Sequence, residues 1–499
     1  MKKSVKLSFS ILALLLAGAL VAAVLLDWVP ADSPTAEETA IEVPYPETTA
    51  LLAQVAGQEE TDEMLLAELA SGYYTPDDPL VVVNPYDISP LTALILFQTE
   101  DACRVSIHIP GADAQTSLDY TFDGYTTDHI IPVYGLYADT ENQVTLTLTP
   151  KNGAAATVTV PVETEALTSR YDFLHIITSM EQPDEYEAGF NISYESVLFL
   201  GGIAAFDADG VPRWHLAIPD ASFYVQNYHY HNHYLIGVDY GKKQRYLLEC
   251  DPLGRIYQIT ATYDSSFHHD VTVYTDHTVL IPHNSINQPT IEDTIVELDL
   301  STGEVTHVMD LRDVLQSTRG ISNASNDVFH LNAIVAIDGS TDILLSLRAQ
   351  SYLVRMSWPD GEIRWIAGSD ENSLPMFDKY YLTPTGEDYE PFYRQHAPCI
   401  LSSSDVANGI FDILLFDNGW GRDQYDDTVD EDSLYSRLVH YRIDEKAMTI
   451  EQIDSYGEQF GAGMFSRIHG DANQLANGNW LGLFDVFVNS SLINTAPFF

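Results

Sequence analysis

Hydrophobic and polar positions alternate along most of this chain, and the places where the alternation stops divide it. Residues 1–27 open on Lys2-Lys3 and run apolar from Phe9 to Leu26 before Asp27 and Trp28, the pattern of an export signal. The apolar run of roughly 18 residues approaches the length of a spanning helix, so a cleaved signal peptide and a retained membrane anchor both stand. Either way, the rest is expected outside the cytoplasmic membrane, secreted or anchored at the cell surface. Residues 28–79 are acidic and rich in Pro, Thr and Ala, a linker in which Leu51, Leu52, Val55, Met64, Leu65, Leu66 and Leu69 recur at helical period. They predict amphipathic helix that packs on something.

Over 80–165 the period drops to two, as in Val105-Ser106-Ile107-His108-Ile109 and Gln143-Val144-Thr145-Leu146-Thr147-Leu148. Turn residues break these runs at short intervals, which predicts a small N-terminal β-sandwich domain. Residues 166–499 carry an imperfect repeat. The stretch from Ile203 through Asp207-Ala208-Asp209-Gly210 to Trp214 is echoed by Tyr246 through Asp251-Pro252-Leu253-Gly254 to Tyr257, by Ile295 to Val305 and by Leu353 to Trp365. Each copy is an alternating strand, a tight Asp/Gly turn and a second strand, the outer hairpin of a propeller blade. A spacing of roughly 45 residues, lengthening later, fits four-stranded blades. A degenerate fifth copy from Leu438 to Ile450 and the turn Asn477-Gly478-Asn479-Trp480 bring the expectation to six. The expected fold is all-β, a six-bladed β-propeller preceded by a small β-sandwich domain. The later repeats place their extra length around 369–395 and 419–435, and function usually sits in such loops.

Composition adds one strong constraint. The chain has 499 residues, and 73 Asp and Glu against 23 Lys and Arg give a net charge of -50. Such a surface repels nucleic acid and anionic lipid, which leaves membrane contact to the N-terminal segment alone; a homodimer remains compatible. Cations are scarce enough that their placement informs, and Arg348, Arg394, Arg422, Arg437 and Arg467 all fall in or near His- and Asn-bearing segments. An anionic substrate needs such a local positive site. Cys103, Cys250 and Cys399 are widely spaced with no CxxC, so neither a disulfide framework nor a cysteine zinc site is expected. Cys399 fits a buried strand cysteine better than a nucleophile.

Three His-bearing segments lead into short apolar strands: Phe267-His268-His269-Asp270, Phe329-His330-Leu331-Asn332 and Arg394-Gln395-His396. Polar residues at the start of inner propeller strands face one another across the axis, which would gather His268, His269, His330, Asn332, Arg348 and His396 at one mouth. The plainer alternative is that they hydrogen-bond neighbouring blades. Imidazoles with Asp270 also suit a metal, but Arg348 and Arg394 would repel a cation and complement a sulfate or phosphate. The run Tyr228-His229-Tyr230-His231-Asn232-His233-Tyr234 falls where a hairpin turn belongs. No metal is expected. Walker, Rossmann, HExxH and G-x-S-x-G motifs are absent, so no nucleotide cofactor, nor any other, is expected.

The motifs His-His-Asp (268–270), His-x-Asn (330–332), Ser-x-Arg (346–348), Gln-His (395–396) and Asp-Asn-Gly (417–419) occur in this order behind Asn84-Pro85-Tyr86, Pro90-Leu91-Thr92-Ala93 and Gly135-Leu136-Tyr137. In that order the chain resembles the bacterial arylsulfate sulfotransferases, which move a sulfuryl group from a phenolic ester to a phenol without a nucleotide donor. The resemblance implies a nucleophilic His396, sulfated in a ping-pong cycle. It places His330, Asn332 and Arg348 at the anion and one of His268 and His269 as a further active-site histidine. Arg394, Asn418, Arg467 and His469 accompany these as substrate-binding candidates, although the match around Arg467 and His469 is loose. The partners implied are a phenolic sulfate donor and a phenol acceptor. The chemistry is sound, since neutral imidazole is a good nucleophile near neutral pH. Arg348, Asn332 and His330 would steady the transferring oxygens, and the His268-His269 pair would supply a proton to the leaving phenolate. Phe267, Phe392 and Tyr393 would stack on the aryl ring. Two rival readings are a noncatalytic cell-surface propeller binding an anionic or glycan ligand and a metal-dependent hydrolase of phosphate or sulfate esters.

Overall fold

Alternation over 80–165 and repetition beyond it both become sheet. The computed structural model describes residues 46–167, 189–194, 203–218, 221–230, 233–240, 244–262, 267–284, 291–315, 327–368, 375–422 and 434–484. The expected export segment lies outside the described residues, as do His231 and Asn232. Among the described residues no helix is long and apolar enough to cross a membrane.

Much of the stretch expected as linker is one 24-residue helix, Pro46–Leu69. Leu65 and Leu69 pack with Tyr86, Leu94, Leu96 and Leu253. Its polar residues also anchor it: buried Gln58 donates to Gly254 O at 2.8 Å and accepts from Ile256 N at 2.9 Å. Asp62 pairs with Arg255 at 2.7 Å. These contacts tie the segment before the first domain to the repeat region.

The domain over 80–165 is one six-stranded hydrogen-bonded sheet. Its longest strand, Ala93–Ile109, shifts register between Gln98 and Cys103. Before the shift it pairs with Leu80–Val83 and Thr126–Val133, and beyond it with Leu118–Thr121 and Thr140–Pro150. Both halves contribute to a single core, from Ile95, Phe97 and Ile131 to Val105, Leu146 and Val160. Arg213, wholly buried, docks this domain on the repeats by donating to Gly135 O and Thr116 O, each at 2.8 Å.

From Asn191 onward the described strands fall into six successive antiparallel sheets, each a meander in chain order, with Thr383–Thr385 added in parallel to the fifth. The predicted Asp/Gly turns close the outer hairpins. Gly210 N donates to Asp207 O, Gly254 N to Asp251 O, Gly303 N to Asp299 O and Gly361 N to Ser357 O. All four glycines have positive φ, near +76, +88, +73 and +72°, a region unfavourable to other residues. In the degenerate fifth copy Met448 takes φ +54°, which is why the Gly signal fades there.

The first strand of each of these sheets from the second onward packs against the first strand of the next, so the segments leading into them come together at one end. Between sheets the packing is apolar on both faces. Ile343, Leu345 and Leu347 face one cluster with Leu280 and Ile295, while Leu344 faces another with Phe411 and Ile413. That two-sided burial explains the unbroken apolar run of this strand.

Buried polar groups bolt the loops. Asp270 accepts from Val271 N at 2.8 Å and Ile334 N at 3.0 Å, linking the third sheet to the fourth; burial pushes its carboxyl up to about 6. The Asp of the His-His-Asp motif thus braces backbone. Asp417, with no exposed surface, accepts from Tyr393 N at 2.8 Å, Gly419 N at 3.0 Å, Arg437 Nε at 2.9 Å and Arg422 Nη2 at 2.7 Å. Glu390 pairs with the same two arginines. Arg422 and Arg437 therefore serve the scaffold and not an anionic substrate.

Replacing Asp417 with Ala leaves two buried guanidinium groups without their shared carboxylate, a loss of about 3–5 kcal/mol. Thermal and denaturant midpoints should fall accordingly. Burial alone would raise the Asp417 carboxyl, but Arg422 and Arg437 hold it below its ordinary range. Its stabilisation is complete above the unfolded carboxylate pKa and is lost as pH falls through the lower folded value. The stability gap between parent and variant should shrink in acid.

Candidate active site

Backbone strain marks one end of the repeat region. Seven of the eleven non-glycine residues with positive φ among the described residues are His269, Glu292, His330, Ser351, Arg394, Ala397 and His469. Four of these, His269, His330, Arg394 and His469, lie within three residues of the start of the strands Thr272–Val273, Leu331–Ala336, His396–Ile400 and Asp471–Gln474 of four successive sheets. Such conformations cost about 1–3 kcal/mol each and persist where surrounding structure holds them, often at functional sites.

The sequence motifs knit to one another here. Asn332 Nδ2 donates to Gln395 O at 2.8 Å. Gln395 Nε2 donates to Ser346 Oγ at 3.0 Å and Tyr352 O at 2.9 Å, so the Ser-x-Arg strand fixes the residue before His396. Asn418 Nδ2 donates to Ser466 O at 2.9 Å and His469 O at 2.7 Å. That turns Asn418 Oδ1 toward His396 Nδ1, 2.6 Å away. Since that oxygen only accepts, the His396 proton sits on Nδ1 and Nε2 keeps its lone pair. Burial, opposed by the Asn418 bond and reinforced by Arg348, His269 and His330, keeps this imidazole neutral far below its usual range.

Three more imidazoles stand in a row. The rings of His268 and His269 are 5.0 Å apart and those of His269 and His330 4.9 Å. His268 is 4% exposed, with neither ring nitrogen hydrogen-bonded among the described residues. Burial and neighbouring His269 hold it well below ordinary imidazole. Burial likewise lowers His269, against the pull of Glu292. His330 behaves oppositely. Burial disfavours its charge, but Asp327 and Glu292 outweigh that and raise it.

Arg348 is 6% exposed, and its Nε and Nη2 have no hydrogen-bond partner among the described residues. Burial and Arg394 lower it to about 10, which leaves it charged at neutral pH. Arg348, Arg394 and Arg467 all lie over Trp420, at 5.6, 5.2 and 3.8 Å from its ring centroid. They range from buried to exposed, and the indole face tolerates their company through cation–π attraction.

The structure thus gathers His268, His269, His330, Arg348, Arg394, His396 and Arg467, with Asn332 behind them. Four candidates sit differently. Phe267 has no exposed surface and packs with Leu235, Val279 and Ile281, and Phe392 is equally buried against Tyr441, so neither reaches a mouth to stack on an aryl ring. Asn418 has no exposed surface and an engaged amide; it orients His396 and is unavailable to substrate. His469 contributes its carbonyl to that same hold. Cys399 lies in the strand His396–Ile400, and burial pushes its thiol up to about 11, which leaves no thiolate for nucleophilic attack.

Glu292, Asp327 and Trp420 were not singled out by the sequence. Asp327 precedes His330 by three residues and Trp420 follows Asp-Asn-Gly directly, signals that could have been followed. Glu292 belongs to no motif and reaches the site only through folding. With their histidines, the carboxylates offer two overlapping sets, His268/His269/Glu292 and Glu292/Asp327/His330, whose donor atoms lie within 4.8 Å of one another. These have the types and spacing to hold a divalent cation. The carboxylates already neutralise imidazole protons, however, and Arg348 is close enough to feel them both.

Residues 176–495 match the arylsulfotransferase (ASST) family, and residues 80–165 match the arylsulfotransferase Ig-like domain. Arylsulfate sulfotransferase AssT of Escherichia coli O6:H1 is 23% identical over 534 aligned residues, covering 81% of this chain and 86% of that protein. Arylsulfate sulfotransferase AssT of Lelliottia amnigena is 23% identical over 513, covering 78% and 81%. Among solved structures, a streptogramin B lyase aligns at TM-score 0.32 and 13% identity over 78% of this chain and 93% of that one, a likeness too slight to add to the fold described above.

Asn418→Asp keeps the acceptor facing His396 and adds a negative charge. The His396 imidazole should then titrate at higher pH than in the parent, followed by histidine NMR. An unchanged titration would show that the ring is not held through Nδ1.

Proposed function

The chain belongs to the arylsulfotransferase family, and from that premise we propose that it transfers a sulfuryl group from a phenolic sulfate ester to a phenol, without a nucleotide donor, through a sulfohistidine at His396. The six successive sheets are read as the blades of a propeller, with the site at its axis and the 80–165 domain as a docked β-sandwich. An export signal or anchor in residues 1–27 fits the same reading, with the enzyme working outside the cytoplasmic membrane.

The observation that carries the proposal is the Asn418–His396 bond at 2.6 Å. It leaves a neutral imidazole with its lone pair on Nε2, within electrostatic range of Arg348. In the first half-reaction Nε2 attacks sulfur, the S–O bond to the aryl group breaks and the phenolate leaves. In the second, an incoming phenol oxygen attacks the same sulfur and the N–S bond breaks. Arg348 provides the fixed charge that the sulfuryl oxygens need. Arg394 and Arg467, flanking Trp420, favour approach of an anionic ester through an otherwise acidic surface.

Donor supplied without acceptor should leave a sulfuryl group on the peptide carrying His396, detected by mass spectrometry after rapid quench. His396→Ala should lose the adduct and transfer together while keeping the parent unfolding midpoint. Adduct on another peptide, or turnover abolished by a metal chelator, would favour the rival chemistry of a cation among Glu292, Asp327 and His330.

Arg348→Lys keeps the charge and loses the planar fork. Transition-state stabilisation should fall by about 2–4 kcal/mol, the scale of one lost oxyanion donor, and kcat/KM measured at low and high salt should show the deficit in both. A deficit present at only one ionic strength would mark a steering role.

A further inference from the structure

We propose that Glu292 is a positioning residue for proton transfer, holding His330 as the imidazolium that gives its proton to the departing phenolate and recovers one from the incoming phenol. This deepens the transfer reaction proposed above and rests on it.

A carboxylate beside an anion-binding arginine opposes substrate binding unless it has another task. Glu292 Oε2 lies 2.6 Å from His330 Nδ1, and its Oε1 lies 3.3 Å from His269 Nε2. No other described carboxylate reaches both rings. Its backbone is held at φ +59°. Its N–H donates to Asn284 Oδ1 at 2.9 Å, and its carbonyl accepts from Leu331 N, next to His330, at 2.9 Å. The strained residue is thus fixed relative to the ring it serves.

The charged and titratable groups facing His330 are Glu292, Asp327 at 2.7 Å, His269, Arg348 and His396. Asp327 takes the Nδ1 hydrogen bond of His330 and favours its charged form most; Glu292, the less exposed of the two carboxylates at 16% against 27%, adds its charge across the 2.6 Å contact. Of the four imidazoles, His268, His269 and His396 are lowered and His330 alone is raised. In the expected proton donor, the His268-His269 pair, burial therefore disfavours the charged form, whereas the carboxylates beside His330 favour it there.

The step balances. As Nε2 of His396 bonds to sulfur and the aryl S–O bond breaks, the electron pair goes to the phenolate oxygen and His330 supplies its proton. In the return half, the phenol proton goes to neutral His330 as its oxygen bonds to sulfur and the N–S bond breaks. The proton matters most for a poor leaving group, since an unactivated phenol has a pKa of about 10 and a nitrophenol is far more acidic.

The test pairs Glu292→Gln with Glu292→Asp. Histidine NMR should show His330 losing its proton at lower pH in Glu292→Gln and recovering partly in Glu292→Asp. For Glu292→Gln, kcat/KM with unsubstituted phenyl sulfate should fall at least tenfold more than with 4-nitrophenyl sulfate, and its basic limb should move to lower pH. An unchanged His330 titration overturns the inference whether or not the protein turns over. Equal losses with both donors and an unmoved basic limb overturn it too, leaving Glu292 a structural carboxylate. A parent that transfers from neither donor while its His330 titration responds as expected sinks the transfer reading and leaves the Glu292–His330 coupling standing.

Discussion

One buried carboxylate holds the site together. Asp417 sits at the end of the strand Ile410–Asp417 and accepts from the backbone of Tyr393 and Gly419. The first bond fixes the loop that delivers Arg394, Gln395 and His396; the second fixes the turn carrying Asn418 and Trp420. A charge with no exposed surface is tolerated only when fully paired, and Arg422 and Arg437 provide that pairing. Because the nucleophile candidate and the group that orients it hang from the same anchor, their 2.6 Å contact is a consequence of scaffold electrostatics.

The same logic divides the arginines. In a chain with only 23 basic residues, two large groups behave oppositely. Arg422 and Arg437 are paired with carboxylates, while Arg348 is buried with two nitrogens left for a ligand and stands over Trp420 with Arg394 and Arg467. Mutual repulsion among like charges is a cost that an anion would relieve. Strained residues cluster at the same end, and hydrogen bonds accepted by Asn284 and Ser351 and donated by Asn418 hold them there.

Carboxylates complete the electrostatics. Glu292 and Asp327 oppose the arginines locally and set His330 apart from the other imidazoles. Neutral and protonated histidines can then coexist within about 5 Å of one another, as nucleophilic attack and proton delivery require at one pH. The carboxylate–imidazole spacing is also what gives the cluster its resemblance to a cation site.

The sequence by itself determined the alternation over 80–165, the repeated Asp/Gly turns and the motifs at which His268, His269, His330, Arg348 and His396 meet. Those are local properties: side-chain period follows strand geometry, and a positive-φ turn favours glycine. It misplaced Phe267, Phe392 and Asn418, and it could not divide Arg422 and Arg437 from Arg348, because burial and pairing depend on residues tens of positions away. Tyr393 meets Asp417 across 24 positions and Asn332 meets Gln395 across 63. Glu292 joined the site only through the packing of the third sheet on the fourth, which brought Ile291 and Asp327 side by side. The protonation state of each histidine followed from that tertiary arrangement, since desolvation and neighbouring charge are set by three-dimensional distance.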